Sequence, residues 1–260
     1  MTIFQALLLG VIEGMTEFLP ISSTFHLLIA SQLLGIAQTE FSKFFDVFIQ
    51  AGAILAVFVL FAKDWFSNRD LLQKVAVSFL PTAAVGFLLH DVIKDVFFSS
   101  FQAMVLIFIL IGILFLVVEQ WLCQKDDFLK KTTAEMSYLH AGLIGLAQAV
   151  AVMPGVSRAG AVILIMLLMG YKREDAAKYS FTLAVPTILA AALLDLVKSR
   201  ELLAQATGNE VTVLFVGSLA AFVSAFVVVK WFIHFVRTRT FRFFGWYRIV
   251  GGALLFWLVR

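Results

Sequence analysis

The chain has 260 residues, 62% apolar and 14% charged, with a formal net charge of +3. So few charges could not cover a soluble domain, in which about a quarter of residues are charged, and the apolar residues gather in runs near the ~20 needed to span hydrocarbon. The basic residues sit in short loops flanking those runs, a membrane-topology pattern that does not argue for nucleic acid, while the lone Cys123 excludes an intramolecular disulfide and no Cys/His spacing suggests a zinc site.

Residues 1–35 are apolar but lack a basic leader region and a small-residue cleavage site; the first Lys or Arg is Lys43, so this stretch is expected to be mature protein. Within it, Gly10-Val-Ile-Glu13 leads to Pro20-Ile-Ser22-Ser23-Thr24, and Gly35 follows. The Pro/Ser-rich segment interrupts the apolar stretch and predicts a helix–loop–helix. Irregular backbone at membrane depth survives only where protein shields it or where it lines a polar cavity, so a re-entrant element is expected. Full spans follow at about 44–62, 72–90 and 101–123, then a charged stretch over 124–137.

The pattern then repeats. Gly145-Leu-Ala-Gln148 leads to Pro154-Gly155-Val156-Ser157-Arg158, and Gly170 follows; first-to-last glycine spacing is 25 residues in both copies. Further on, Leu183-Ala-Val-Pro-Thr-Ile-Leu-Ala190 parallels Gln50-Ala-Gly-Ala-Ile-Leu-Ala56. Spans are expected at 179–197, 211–234 and 241–259. The chain is therefore read as an all-α polytopic membrane protein, one integral membrane domain over 1–260 with repeat halves of about 1–123 and 138–260. Each half is a re-entrant helix–loop–helix plus about three transmembrane helices. Three is odd, so the second copy would insert upside down relative to the first. With the N-terminus outside, Lys125, Lys130, Lys131, Lys172, Arg173, Arg242 and Arg248 fall on the inner side with most other basic residues. Lys43, Lys94, Lys198, Arg200 and Arg260 fall outside, as the positive-inside rule asks.

The polar residues inside this apolar chain carry the chemistry, since charges at membrane depth are costly. Glu13 and Glu17 stand four apart, on one face of a helix. Paired carboxylates either push one pKa up or recruit a cation, and a hard ion such as Mg²⁺ suits oxygen ligands. Two solvated carboxylates at a helix end are the plain alternative. Pro20 fits a helix start, with Ser22, Ser23 and Thr24 as caps and donors at an anion-binding helix terminus. His26 follows Ser23 by three and Ser22 by four, near enough to activate a nucleophile or to protonate a leaving group; an ordinary cap followed by a hydrogen-bonded His is the alternative. In the second copy Gly155 and Gly160 permit close backbone approach and Ser157 can cap. Arg158, set among apolar residues, needs an anionic partner, either phosphate or a carboxylate such as Glu13 or Glu17. Gln50 either lines the site or bonds a neighbouring helix. Asp46, Glu119 and Asp195 are read as interfacial, and His90, His140 and His234 receive no role.

At these residues the chain resembles the undecaprenyl-diphosphate phosphatase family, also called bacitracin-resistance proteins. The resemblance runs through Glu13-Gly-Met-Thr-Glu17-Phe-Leu-Pro20-Ile-Ser-Ser-Thr24 and His26, then Gln50-Ala-Gly-Ala-Ile-Leu-Ala-Val57, Gly145-Leu-Ala-Gln148 and Pro154-Gly-Val-Ser-Arg158-Ala-Gly160. It implies a hydrolase of the bacterial inner membrane that releases the terminal phosphate of undecaprenyl diphosphate, recycling the carrier lipid for envelope synthesis. Glu17, Ser23, His26 and Arg158 are then expected as catalytic residues, with Ser23 as nucleophile or phosphate donor and His26 as its acid/base partner. Ser22, Thr24, Gln50, Gly155 and Ser157 are expected to bind substrate, and Glu13 with Glu17 to hold Mg²⁺ or Ca²⁺. Three positions depart from the family pattern: Phe25 replaces a usual Gly, Ala159 a usual Ser and Val162 a usual Thr. The last two remove two hydroxyl donors expected to face phosphate. A transporter or flippase of a lipid-linked phosphate is the rival reading, a non-catalytic paralogue a third, and a homodimer stays open.

Overall fold

A computed structural model describes residues 1–88, 101–125 and 128–258. Lys94, His90, Arg260 and the far ends of the spans expected at 72–90 and 241–259 lie outside the described residues. Within them the chain is helical, and the one β-bridge joins Lys131 to Tyr171. The interrupted N-terminal stretch forms α1 (Ile3–Thr16) and α2 (Ser23–Leu33), followed by α3 (Glu40–Ser67), α4 (Arg69–Leu88) and α5 (Phe101–Leu122). After a 3₁₀ turn at Thr133–Glu135, the second interrupted stretch forms α6 (Tyr138–Val150) and α7 (Arg158–Leu168). Then come α8 (Arg173–Lys198), the short α9 (Arg200–Ala204), α10 (Gly208–Thr238) and α11 (Arg242–Leu258).

Among the described residues five helices, α3, α4, α5, α8 and α10, are long and apolar enough to cross a membrane. Their starts are marked locally: at α3 and α10 a threonine accepts the N–H three residues on while that residue's side chain returns the bond, closing a capping box. The interrupted stretches behave differently. A helix of 14 residues, such as α1, reaches about 21 Å, short of the ~30 Å hydrocarbon layer. Each short helix instead turns back on a partner, α1 on α2 and α6 on α7.

Packing links the halves more than it separates them. Helix α1 packs against α10 and α6 against α4; α3 meets α10 and α8 meets α4; α3 meets α8, and α5 meets α11. Exchanging α1–α5 for α6, α7, α8, α10 and α11 maps this set of pairings onto itself. Glycine allows the closest approaches. A Cβ on Gly10 would collide with the Gly217 carbonyl of α10, and one on Gly145 with the Ser78 carbonyl of α4. Those two glycines head the duplicated motifs, so each half's broken helix is pressed onto a helix of the other half.

Glu119, near the end of α5, is fully buried within the protein, pairs with Arg173 at 2.6 Å, and accepts the Phe241 N–H at 2.8 Å. Arg248, counted with the inner loops, is also fully buried and lies inside α11.

Candidate active site

The chain leaves α1 through Glu17, whose N–H still bonds the Glu13 carbonyl at 2.9 Å. Pro20 does not open a helix as expected; it sits in the turn, and α2 begins at Ser23. The reason is Ser22, which takes a left-handed φ of 67° and so redirects the chain. The second loop uses the same device: Ser157 has φ 73°, and α7 begins at Arg158. A non-glycine residue at positive φ costs about 1–3 kcal/mol and persists only where its surroundings enforce it. Here two serines at matching places in the repeat carry that strain, each directly before a helix N-terminus.

The two turns line one cavity of ≈ 180 Å³. Glu17, Ser22, Ser23 and Thr24 come from the first, Gly155, Ser157 and Arg158 from the second, and Gln50 from α3. The hydroxyl of Ser23 donates to one oxygen of Glu17, and Arg158 Nη2 lies 3.0 Å from the other oxygen. Arg158 also donates to the Ser180 carbonyl at 3.3 Å. Glu17 is thus paired with a residue 141 positions away in sequence. The unshared faces of Ser23, Arg158 and the helix N–H groups can meet an anion.

His26 falls elsewhere. It was expected beside Ser23, but its Nδ1 lies 2.7 Å from the Ser22 carbonyl and its Nε2 2.7 Å from the Tyr247 hydroxyl. It is not among the cavity-lining residues. Ser23, one residue past the left-handed Ser22, pairs with Glu17 instead.

Glu13 is fully buried, and neither of its oxygens meets a hydrogen-bond donor; one oxygen of Asp46 on α3 is likewise orphaned. Among the described residues no group of three His, Cys, Asp or Glu is gathered for a metal. A magnesium-type ion needs only one or two carboxylates when phosphate oxygens and waters complete its shell. The orphaned oxygens of Glu13 beside Glu17 fit that sparse demand, although Glu17 alone reaches the cavity.

Ala159 and Val162, where the family pattern has hydroxyls, are not among the cavity-lining residues. Both are buried in apolar clusters, Val162 in one with Ile144, Met166 and Tyr179. Phe25 is likewise buried, stacked at 4.3 Å on Phe108.

Two participants were missed from sequence. Thr187 of α8 lines the cavity and accepts the Gln148 amide at 3.2 Å; the repeat around Leu183–Ala190 was its only signal. Arg248 donates to the Phe108 carbonyl at 3.0 Å, to that of Pro20 at 3.0 Å, to that of Val156 at 3.3 Å, and to that of Gly155. It ties both turns to α5. Its signal was a single charge in an apolar run, the same one that marked Arg158.

The family model of the bacitracin resistance protein BacA matches residues 6–254. The chain is 44% identical over 259 residues to the undecaprenyl-diphosphatase of Wolinella succinogenes, covering 99% of both chains. It is 40% identical over 254 residues to the protein of that name from Aquifex aeolicus, covering 98% of this chain and 97% of the other. The corresponding Campylobacter fetus protein is 41% identical over 257 residues, 98% of each.

Proposed function

Because the chain belongs to the bacitracin resistance protein BacA family, we propose that it hydrolyses undecaprenyl diphosphate in the bacterial inner membrane, with the loop cavity as its active site. The products are undecaprenyl monophosphate and inorganic phosphate, which returns the carrier lipid to envelope synthesis. The observation that carries the assignment of the site is the Ser23–Glu17–Arg158 chain of hydrogen bonds lining the cavity.

Ser23 is the nucleophile in this reading. Its hydroxyl already donates to Glu17, so the carboxylate stands ready to take the proton as the serine oxygen attacks the terminal phosphorus. The anhydride bond breaks, its electron pair leaves with the lipid monophosphate, and a phosphoserine forms. Glu17 passes the serine proton to the departing lipid monophosphate; the freed carboxylate then deprotonates a water that attacks the phosphoserine, and the proton taken from that water goes to the Ser23 oxygen as inorganic phosphate leaves. Arg158 and the first N–H groups of α2 and α7 supply fixed positive charge where the phosphoryl oxygens gather, the main task in phosphoryl transfer. Thr24, Gln50, Ser157 and Thr187 add neutral donors around the cavity, and Gly155 lets backbone approach it. Glu13 and Glu17 would hold Mg²⁺ or Ca²⁺, which supplies charge neutralisation at the diphosphate.

Purified protein in detergent is expected to release inorganic phosphate from undecaprenyl diphosphate, and Ser23→Ala to lower the rate by at least about a hundredfold. Full turnover in Ser23→Ala would sink the serine nucleophile. Binding or bilayer movement of the lipid without any phosphate release would sink the hydrolase reading and favour a transporter.

A further inference from the structure

The two serine turns share a backbone conformation but not the means of holding it. In the second loop Ser157 stabilises its own turn: its hydroxyl accepts the Gly160 N–H at 3.2 Å, and its carbonyl accepts the Ala161 N–H at 3.0 Å, an ordinary first helical bond. In the first loop the side-chain support is missing and the main-chain one is weak. The Ser22 hydroxyl makes no capping bond, and the matching main-chain bond, from the His26 N–H, is stretched to 3.4 Å. What replaces them is the His26 ring, with Nδ1 at 2.7 Å from the same Ser22 carbonyl.

A carbonyl can only accept, so Nδ1 must carry the proton. In the neutral ring Nε2 is then a bare lone pair, and the group facing it at 2.7 Å is the Tyr247 hydroxyl, which donates. The Tyr247 ring lies nearly parallel to the imidazole, at 12° and 5.8 Å between centroids. Phe25 and Phe108 meet the imidazole edge-on. Partner groups of this kind select one imidazole tautomer and one ring orientation.

We infer that Tyr247 is a positioning residue for the first loop: its hydroxyl fixes the His26 ring so that Nδ1–H holds the Ser22 carbonyl, leaving the Ser22 hydroxyl free to face the cavity and Ser23 aimed at Glu17. His26 acts as part of the turn and not as the acid or base of the reaction. The functional consequence rests on the proposal that this loop engages the diphosphate; the ring geometry does not.

The test uses full-length protein in detergent micelles labelled with ¹⁵N-histidine, the His26 signals being assigned by their loss in His26→Asn. The wild type is expected to show a single His26 tautomer, Nδ1 protonated and Nε2 accepting a hydrogen bond. Tyr247→Phe, which keeps the ring, is expected to move the Nε2 resonance and bring in the second tautomer, while phosphate release falls about two- to tenfold, the worth of one hydrogen bond. In a His26→Asn background, Tyr247→Phe is expected to cause no further loss. An Nε2-protonated ring in the wild type would overturn the inference. So would a Tyr247→Phe protein with unchanged His26 signals or unchanged turnover, or a loss that persists undiminished without His26. If the wild-type ring is as expected but no phosphate is released, it is the hydrolase reading that fails.

Discussion

Glu17 and Glu13 are chemically identical and stand one helical turn apart, yet their surroundings give them different work. Glu17 has a donor on each oxygen, one from either loop, so its charge is stabilised at the cavity wall. Glu13 is buried without a donor on either oxygen, a state a lone charged carboxylate does not tolerate. A shared cation would relieve it. Glu13→Gln is therefore expected to raise the Mg²⁺ or Ca²⁺ concentration giving half-maximal phosphate release by roughly tenfold or more, measured by metal titration after chelation. An unchanged midpoint would assign Glu13 to packing. Val162 illustrates the opposite limit. It is fully buried among apolar side chains, so Val162→Thr, though it restores the family's residue, places a hydroxyl where no donor role awaits it. The expected outcome is a loss of about 1–3 kcal/mol in thermal unfolding and no gain in turnover; a faster enzyme would show that the position reaches the substrate.

Among the helices, α11 does the most to hold the site, and it does so with a residue that touches none of the chemistry. Arg248 spreads its guanidinium over carbonyls of Pro20, Gly155, Val156 and Phe108, thereby joining the first loop, the second loop and α5. Loop carbonyls at depth have few other partners, and leaving one buried without a donor costs about 1–3 kcal/mol. An ammonium has three donors on one atom and cannot span the three segments as the planar fork does. Arg248→Lys is thus expected to lower the melting temperature and cut phosphate release at least about tenfold, even though charge is conserved. Wild-type melting and activity in Arg248→Lys would mean that the loops are held by the helices alone. The glycines contribute at the same scale. Without a side chain at Gly10 and Gly145, α1 and α6 sit directly on the backbone of α10 and α4, and that close contact sets where Glu17 and the second loop emerge.

Across the whole molecule, neither half owns the cavity proposed as the active site. Ser23 and Glu17 lie in the first, Arg158 and Ser157 in the second, and the broken helix of each half is packed on a helix of the other. Severing the chain within 128–130, between α5 and the 3₁₀ turn, interrupts none of these helix pairings. The expected outcome is that residues 1–128 or 129–260 produced alone release no phosphate, whereas the two co-expressed restore measurable release in membranes. Activity from either half alone would show that the cavity does not need both loops.

Hydropathy and the internal repeat were enough to reveal a polytopic helical protein and its two broken segments, because burial in hydrocarbon requires long apolar runs and any interruption of one must have a use. The same reasoning picked out Glu17, Ser22, Ser23, Thr24, Gln50, Gly155, Ser157 and Arg158, all of which line the cavity: a polar group among apolar ones is visible in one dimension. Which polar group meets which is not. The partner of Ser23 is Glu17 and not His26 because Ser22 takes a left-handed turn that no residue type announces. Arg248 passed for a loop charge because its four acceptors are backbone carbonyls, which every residue carries and no sequence distinguishes. That Ala159 and Val162 lie outside the cavity lining was not legible either, because motif position does not tell which side of a helix faces the cavity. The pairing of Glu17 with Arg158 and the reach of Arg248 were decided by tertiary packing between elements more than a hundred residues apart, where direction and distance, not residue identity, set the chemistry.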